Sequence, residues 1–118
     1  MTEIEATELA RAYVALSNAH RVDLIEPMFA GDAIYYSSAV GEYQGAESIS
    51  EMMQAFFSRY PDVFWLAEDF HCASNRVSFN FSLQAIDTQS GSPLQRRGIE
   101  HIEFDTLGKI KRLEVHAS

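Results

Sequence analysis

The sequence predicts a single α+β domain with helices on one face of an antiparallel sheet, and three observations predict it. Apolar residues recur at helical spacing through the first half, the period changes to two from Val63 onward, and the 118 residues fit one domain, 1–118. A chain of this length buries roughly two thirds of the surface its unfolded form exposes, enough for a real core.

The first helix starts at a capping box, Thr2 followed three residues later by Glu5, and carries Ile4, Leu9, Ala12, Tyr13 and Leu16 to about Asn18. His20 and Arg21 connect it to a shorter helix marked by Val22, Leu24, Ile25, Met28 and Phe29, which Pro27 shortens and Gly31 ends. Ala33 to Ser38 is short and rich in β-formers, so a first strand is expected there, followed by a loop from Gly41 to Gly45. The third helix starts near Ala46. Ile49, Met52, Met53, Phe56, Phe57 and Tyr60 form its apolar stripe, and Pro61 and Asp62 end it.

Phe64 to Ala73 then reads as a strand, and Val77, Phe79, Phe81 and Leu83 alternate with Ser78, Asn80, Ser82 and Gln84 as one buried face. Ser90 to Pro93 is a turn, Arg96 to Phe104 a strand, Thr106 to Gly108 a tight turn and Lys109 to Ala117 the last strand.

Composition narrows the function. The chain is 47% hydrophobic and 22% charged, as an ordinary globular protein is. Seventeen acidic against nine basic side chains give a net charge of −8, which repels a phosphate backbone or an anionic bilayer, so neither nucleic acid nor membrane is an expected partner. Cys72 is the only cysteine, which excludes an internal disulfide and the Cys-rich zinc patterns and fits a reducing, cytoplasmic compartment. Glu3, Glu5, Glu8 and Arg11 interrupt the start, so no signal peptide is expected, and no stretch is long and apolar enough for a membrane span. There is no Gly-rich phosphate loop or nucleophile elbow, and no cofactor is expected.

The element order, together with Tyr13-Val14-Ala15-Leu16-Ser17-Asn18, Met28-Phe29-Ala30-Gly31-Asp32-Ala33, Gly45-Ala46-Glu47-Ser48-Ile49 and Phe104-Asp105-Thr106-Leu107-Gly108-Lys109-Ile110, resembles the SnoaL-like branch of the nuclear transport factor 2 and ketosteroid isomerase superfamily. The resemblance covers nearly the whole chain. It implies a cystatin-like cone, a curved antiparallel sheet wrapped around about three helices, with an apolar pocket inside and a homodimer formed through the outer sheet face. It does not imply one chemistry, because the superfamily holds isomerases, cyclases, dehydratases, epoxide hydrolases and non-catalytic binders.

By the same resemblance Tyr13 looks like the isomerase's helix-1 tyrosine and Glu100 like its acidic partner in the oxyanion hole. The two proton-abstracting positions of the superfamily hold Ser37 and Val115. A serine hydroxyl is not a base near neutral pH without a base beside it, so no general base is assigned.

The residues themselves give a parallel reading. Glu100 shares strand parity with Ile102 and Phe104, so its carboxyl points into an apolar interior, where desolvation raises its pKa; pairing with an Arg or His, or a β-bulge, is the alternative. Tyr13 lies on the apolar stripe of the first helix, as a pocket donor or a plain core aromatic. Tyr35 and Ser37 point inward while Tyr36 and Ser38 point away, and Phe56, Phe81 and Val115 complete the expected cavity wall. Of His71 and Cys72 only one faces inward.

His101, Glu103, Glu114 and His116 share the outer parity, where cross-strand pairing or a dimer contact is preferred to a metal site because the spacing matches no zinc motif. Ile99, Glu114 and His116 are the dimer candidates. Arg96, Arg97, Lys109, Lys111 and Arg112 read as a solvated basic face balancing Glu103 and Glu114.

The expected activity is binding of a small apolar molecule bearing an oxygen function, with isomerase-, cyclase- or hydratase-type acid–base chemistry if the protein is an enzyme. A non-catalytic binding or dimerisation module is the alternative.

Overall fold

The computed structural model describes all 118 residues. Helix α1 spans Glu3–Asn18 and starts at the capping box, where Thr2 N donates to Glu5 Oε1 at 2.8 Å and Glu5 N donates to Thr2 Oγ1 at 3.1 Å. Its buried face is Ala6, Ala10, Tyr13 and Ser17, whereas Ile4 is 73% exposed and Ala12 also faces out. Small residues occupy the inward stripe because the helix lies close against the sheet, so hydrophobicity alone misplaces its face by part of a turn.

The second helical segment is shorter than expected. Helix α2 covers Val22–Ile25, and Pro27 converts the next turn into a 3₁₀ segment, Glu26–Met28. Strand β1 already begins at Phe29 and runs to Ser37, so Gly31 lies inside a strand instead of ending a helix. The expected loop from Gly41 contains an edge strand, β2 (Gly41–Gln44), before α3 (Ala46–Arg59). Strands β3 (Phe64–Ala73), β4 (Arg76–Ile86), β5 (Pro93–Phe104) and β6 (Ile110–Ala117) follow.

The six strands form one sheet in the order β2-β1-β6-β5-β4-β3. Neighbours are antiparallel except β1 and β6, which run parallel from Phe29 beside Ile110 to Ser37 beside Val115. This pairing joins the first and last strands and lets the helices of the first half lie across the sheet made by the second. Helix α1 packs against β3, and α3 against β1. Phe79, Phe104, Ile25, Ile49, Ile102, Ile110 and Leu113 are among the largest wholly buried side chains.

Irregularities curve the sheet. Strand β3 breaks register between Glu68 and His71, with Asp69 at φ 59°, a left-handed conformation an aspartate tolerates. Asn18 clamps the end of α1 to the start of β3: its Nδ2 donates to the Trp65 carbonyl at 2.9 Å and Trp65 N donates to its Oδ1 at 2.7 Å. Arg59, at the end of α3, holds Asp87 after β4 by two bonds of 3.1 and 2.8 Å. No helix is long and apolar enough to cross a membrane.

Candidate functional site

Strand registers stack inward side chains into three rows on the concave face. Ser37, Val115, Glu100 and Phe79 form the first, on β1, β6, β5 and β4; Ala117, Gly98, Phe81 and Ala67 form the second. The third is Arg96, Leu83 and Trp65. Tyr13, Val14 and Ser17 of α1, with Met52, Met53 and Phe56 of α3, close over these rows. The enclosed free space is about 60 Å³, room for several water molecules. Exposed Ala39, Val40 and Ala117 mark its mouth, where Ser38 N donates to the Val115 carbonyl at 3.0 Å and Ala117 N donates to Ser38 Oγ at 2.9 Å.

Glu100 is the anomalous group in this cavity. It is 5% exposed and sits between Phe79 and Val115, and desolvation by its burial pushes its pKa up from 4.5 to about 8. No other cause contributes, so neither the ion pair nor the outward bulge that the sequence left open occurs. At pH 7 the raised pKa favours the protonated carboxyl, which offers one O–H donor and one acceptor.

Two phenols share its space. Burial raises the pKa of Tyr13, and the neighbouring Tyr35 and Glu100 raise it further. Tyr35 is raised by burial and by Glu100, against a smaller lowering by Arg96. Both hydroxyls therefore stay protonated at all physiological pH values and serve as donors. The Tyr13 ring is fixed edge-on to Phe29, with centroids 6.1 Å apart.

Of the residues expected to form the site, Tyr13, Glu100, Tyr35, Ser37, Phe56 and Val115 line this cavity. Phe81 does not: it is core-packed in the middle row, and Leu83, one row along β4, takes its place on the wall. The chain reading also passed over Arg96 by assigning it to a solvated basic face. Arg96 shares parity with Gly98 and Glu100, which was the available signal, and it lines the cavity. His71 is exposed, while Cys72 packs toward the core without reaching the cavity. Ser37 Oγ accepts from Ala39 N at 3.2 Å and is hydrogen-bonded to no carboxylate or imidazole.

The outer face holds a separate polar cluster. Arg112 Nε donates to Glu114 Oε2 at 2.7 Å, and His116 Nε2 lies 2.9 Å from Glu114 Oε1. These bonds, with His116 first, hold the Glu114 carboxyl well below the usual range. His101 Nδ1 meets Ser78 Oγ at 2.6 Å, and partial burial lowers its pKa so that it is neutral at pH 7. No group of three or more His, Cys, Asp or Glu is arranged to hold a metal ion.

A family model described as a SnoaL-like domain matches residues 10–113. No curated protein is a detectable sequence relative. Among solved structures, the epoxide hydrolase/cyclase-like enzyme SalBIII of pyran ring formation in salinomycin superposes with a TM-score of 0.80 or better, at 0.87, with 15% identity over 98% of this chain and 92% of that one. A protein of ketosteroid isomerase-like fold from Catenulispora acidiphila, in complex with trimethylamine, superposes at 0.81 with 17% identity over 91% and 82%. A cystatin-fold protein from Novosphingobium aromaticivorans does so at 0.78 with 22% identity over 92% and 95%. At these identities the likeness shows the fold alone. The family match leaves out only the two ends of the chain, and the protein therefore belongs to the SnoaL-like domain family.

Proposed function

We propose that the cavity binds a small, largely apolar molecule carrying an oxygen function, which accepts hydrogen bonds from the protonated Glu100 carboxyl and the Tyr13 hydroxyl. The observation that carries this reading is Glu100: a carboxyl 5% exposed, with no compensating cation, in an otherwise mostly apolar chamber. Burying such a group costs stability, and a ligand oxygen would supply the missing partner. Tyr35 and Ser37 border the same space, with Phe56 and Val115 as apolar walls. The free volume favours a molecule of about one ring, with Met52 and Met53 as the adaptable walls that let it in.

Two neutral donors converging on one oxygen stabilise negative charge that develops there, as in enolisation, ring closure onto an activated oxygen or hydration; loss of one such donor costs about 3 kcal/mol in the barrier. Membership of the SnoaL-like family is compatible with such acid–base chemistry. By the resemblance to the superfamily, Ser37 and Val115 occupy its proton-abstracting positions without supplying a base, and this favours a second reading, a binding module that performs no turnover. The same proposal includes a homodimer through the outer sheet face, where Phe64 is 58% and Leu66 53% exposed.

A thermal-shift screen against phenols, cyclic ketones, terpenoids and small aromatic polyketide fragments tests the binding. A ligand at a hundred times its Kd adds about 2.7 kcal/mol, a shift of several degrees in a domain of this size. The expected result is a hit that Glu100→Ala abolishes and Tyr13→Phe weakens about tenfold; a hit indifferent to both substitutions sinks the proposed role of this pair. Turnover of the hit by the wild type, absent in Glu100→Ala, separates enzyme from binder.

A further inference from the structure

The cavity holds one cation as well as one acid. Arg96 is the only basic side chain on its wall, and it takes part in none of the ion pairs of the chain, which join Arg21 to Asp23, Arg59 to Asp87, Lys111 to Glu103, and Arg112 and His116 to Glu114. Arg11, Arg76, Arg97 and Lys109 also lack an ion pair but are exposed; of the two half-buried arginines, Arg112 is paired with Glu114 and Arg96 has no carboxylate partner. The rest of its row, Leu83 and Trp65, is apolar.

Position along β5 separates Arg96 from Glu100. The two are four residues apart on the same face, roughly 13 Å between their Cα atoms at a strand rise of 3.3 Å per residue. Between them Gly98 presents no side chain, so nothing from β5 itself divides the two polar ends. Register places Tyr35 in the row of Leu113 and Ile102, one step past Glu100 on the side away from Arg96, so along the strands Glu100 stands between Arg96 and Tyr35, and both Tyr35 and Arg96 line the cavity.

We infer that the ligand of this pocket is a monocarboxylate, its carboxylate held by the Arg96 guanidinium and its second, uncharged oxygen held at the Glu100 end. This rests on the reading of the pocket as a ligand site and adds the substrate class. A guanidinium fork matches a carboxylate with two parallel N–H···O bonds, and partial burial strengthens them. The neutral Glu100 makes the pairing of ends directional: an anion is attracted at Arg96 and meets no opposing charge at the other end until Glu100 ionises near pH 8.

The test uses matched probes on the wild-type protein: 4-oxocyclohexanecarboxylate, 4-hydroxyphenylacetate and 3-hydroxybenzoate, each against its methyl ester, by isothermal calorimetry at pH 6.5. At least one acid is expected to bind about 10- to 100-fold more tightly than its ester, the range for a hydrogen bond to a charged group. That preference should disappear in Arg96→Gln and return in part in Arg96→Lys. A measurement needing no variant gives the same information: the preference should vanish when the pH falls below the probe's own carboxyl pKa.

Esters or neutral ketones bound as tightly as the acids, with Glu100→Ala abolishing both, overturn the carboxylate inference and leave the oxygen-binding pocket standing. Acids preferred equally by wild type and Arg96→Gln overturn the role of Arg96. Absence of binding by every acid overturns the inference as well, and the neutral panel then decides the pocket separately.

Discussion

At the scale of single residues, Glu100 concentrates the consequences of burial. Its ordinary pKa is 4.5 and its folded one about 8, so the folded protein favours the neutral form. Stability from this group is therefore complete below about pH 4.5 and declines as pH rises toward 8, as the unfolded chain ionises and the folded one resists. Replacement by Gln keeps the shape and removes the titration. Urea unfolding of wild type and Glu100→Gln should diverge between pH 5 and 8.5, with the variant gaining an advantage of a few kcal/mol. Parallel curves across that range would mean that Glu100 is hydrated or paired in solution. Arg96 shows how much one residue's setting decides: the same side chain that reads in the sequence as part of a basic surface lies in the cavity wall because strand parity turns it inward.

At the scale of elements, the close approach of β5 and β6 shapes the cavity floor. A Cβ at Gly98 would lie 2.9 Å from the Ala117 Cα and closer still to the His116 carbonyl, both backbone, so neither neighbour can yield by turning a side chain. Gly98→Ala is expected to cost about 1–3 kcal/mol as an overpacking substitution, read as a lower urea midpoint at unchanged m-value. It should also spread the sheet between Arg96 and Glu100 and weaken any ligand spanning them; a variant as stable as wild type would show that β6 is free to move. The elements themselves differed in legibility. Both long helices, and strand β3, follow directly from caps and periodicity, and their bounds are Glu3–Asn18, Ala46–Arg59 and Phe64–Ala73. The edge strand β2 and the early start of β1 were hidden because Gly31, Gly41 and Gly45 read locally as breaks, and pairing with a distant strand overrides that local preference.

At the scale of the whole molecule, acid and alkaline limits of stability arise from different groups. Glu100 sets the decline toward pH 8, whereas Asp87, whose carboxyl is held below its usual 3.8 by the Arg59 side chain first and by the Gln89 backbone next, contributes stability that is lost as pH falls below that value. Asp87→Asn should flatten the acid limb of a pH-stability profile and leave the decline above pH 5 unchanged; an acid limb as steep as in the wild type would remove the Arg59–Asp87 clamp from the account.

The sequence by itself determined that the fold is α+β with its helices in the first half, that the composition is that of a folded chain, and that Glu100 and Tyr13 lie on inward faces. Those properties depend on composition and on periodicities of 3.6 and 2, which are local. Only the tertiary structure decided that Glu100 lacks a counterion, that Leu83 replaces Phe81 on the cavity wall, that Arg96 joins the cavity, and that β1 pairs in parallel with β6. Each of these depends on which strands are neighbours and in what register, and that is set by contacts between residues as far apart as Phe29 and Ile110, beyond the reach of any local pattern.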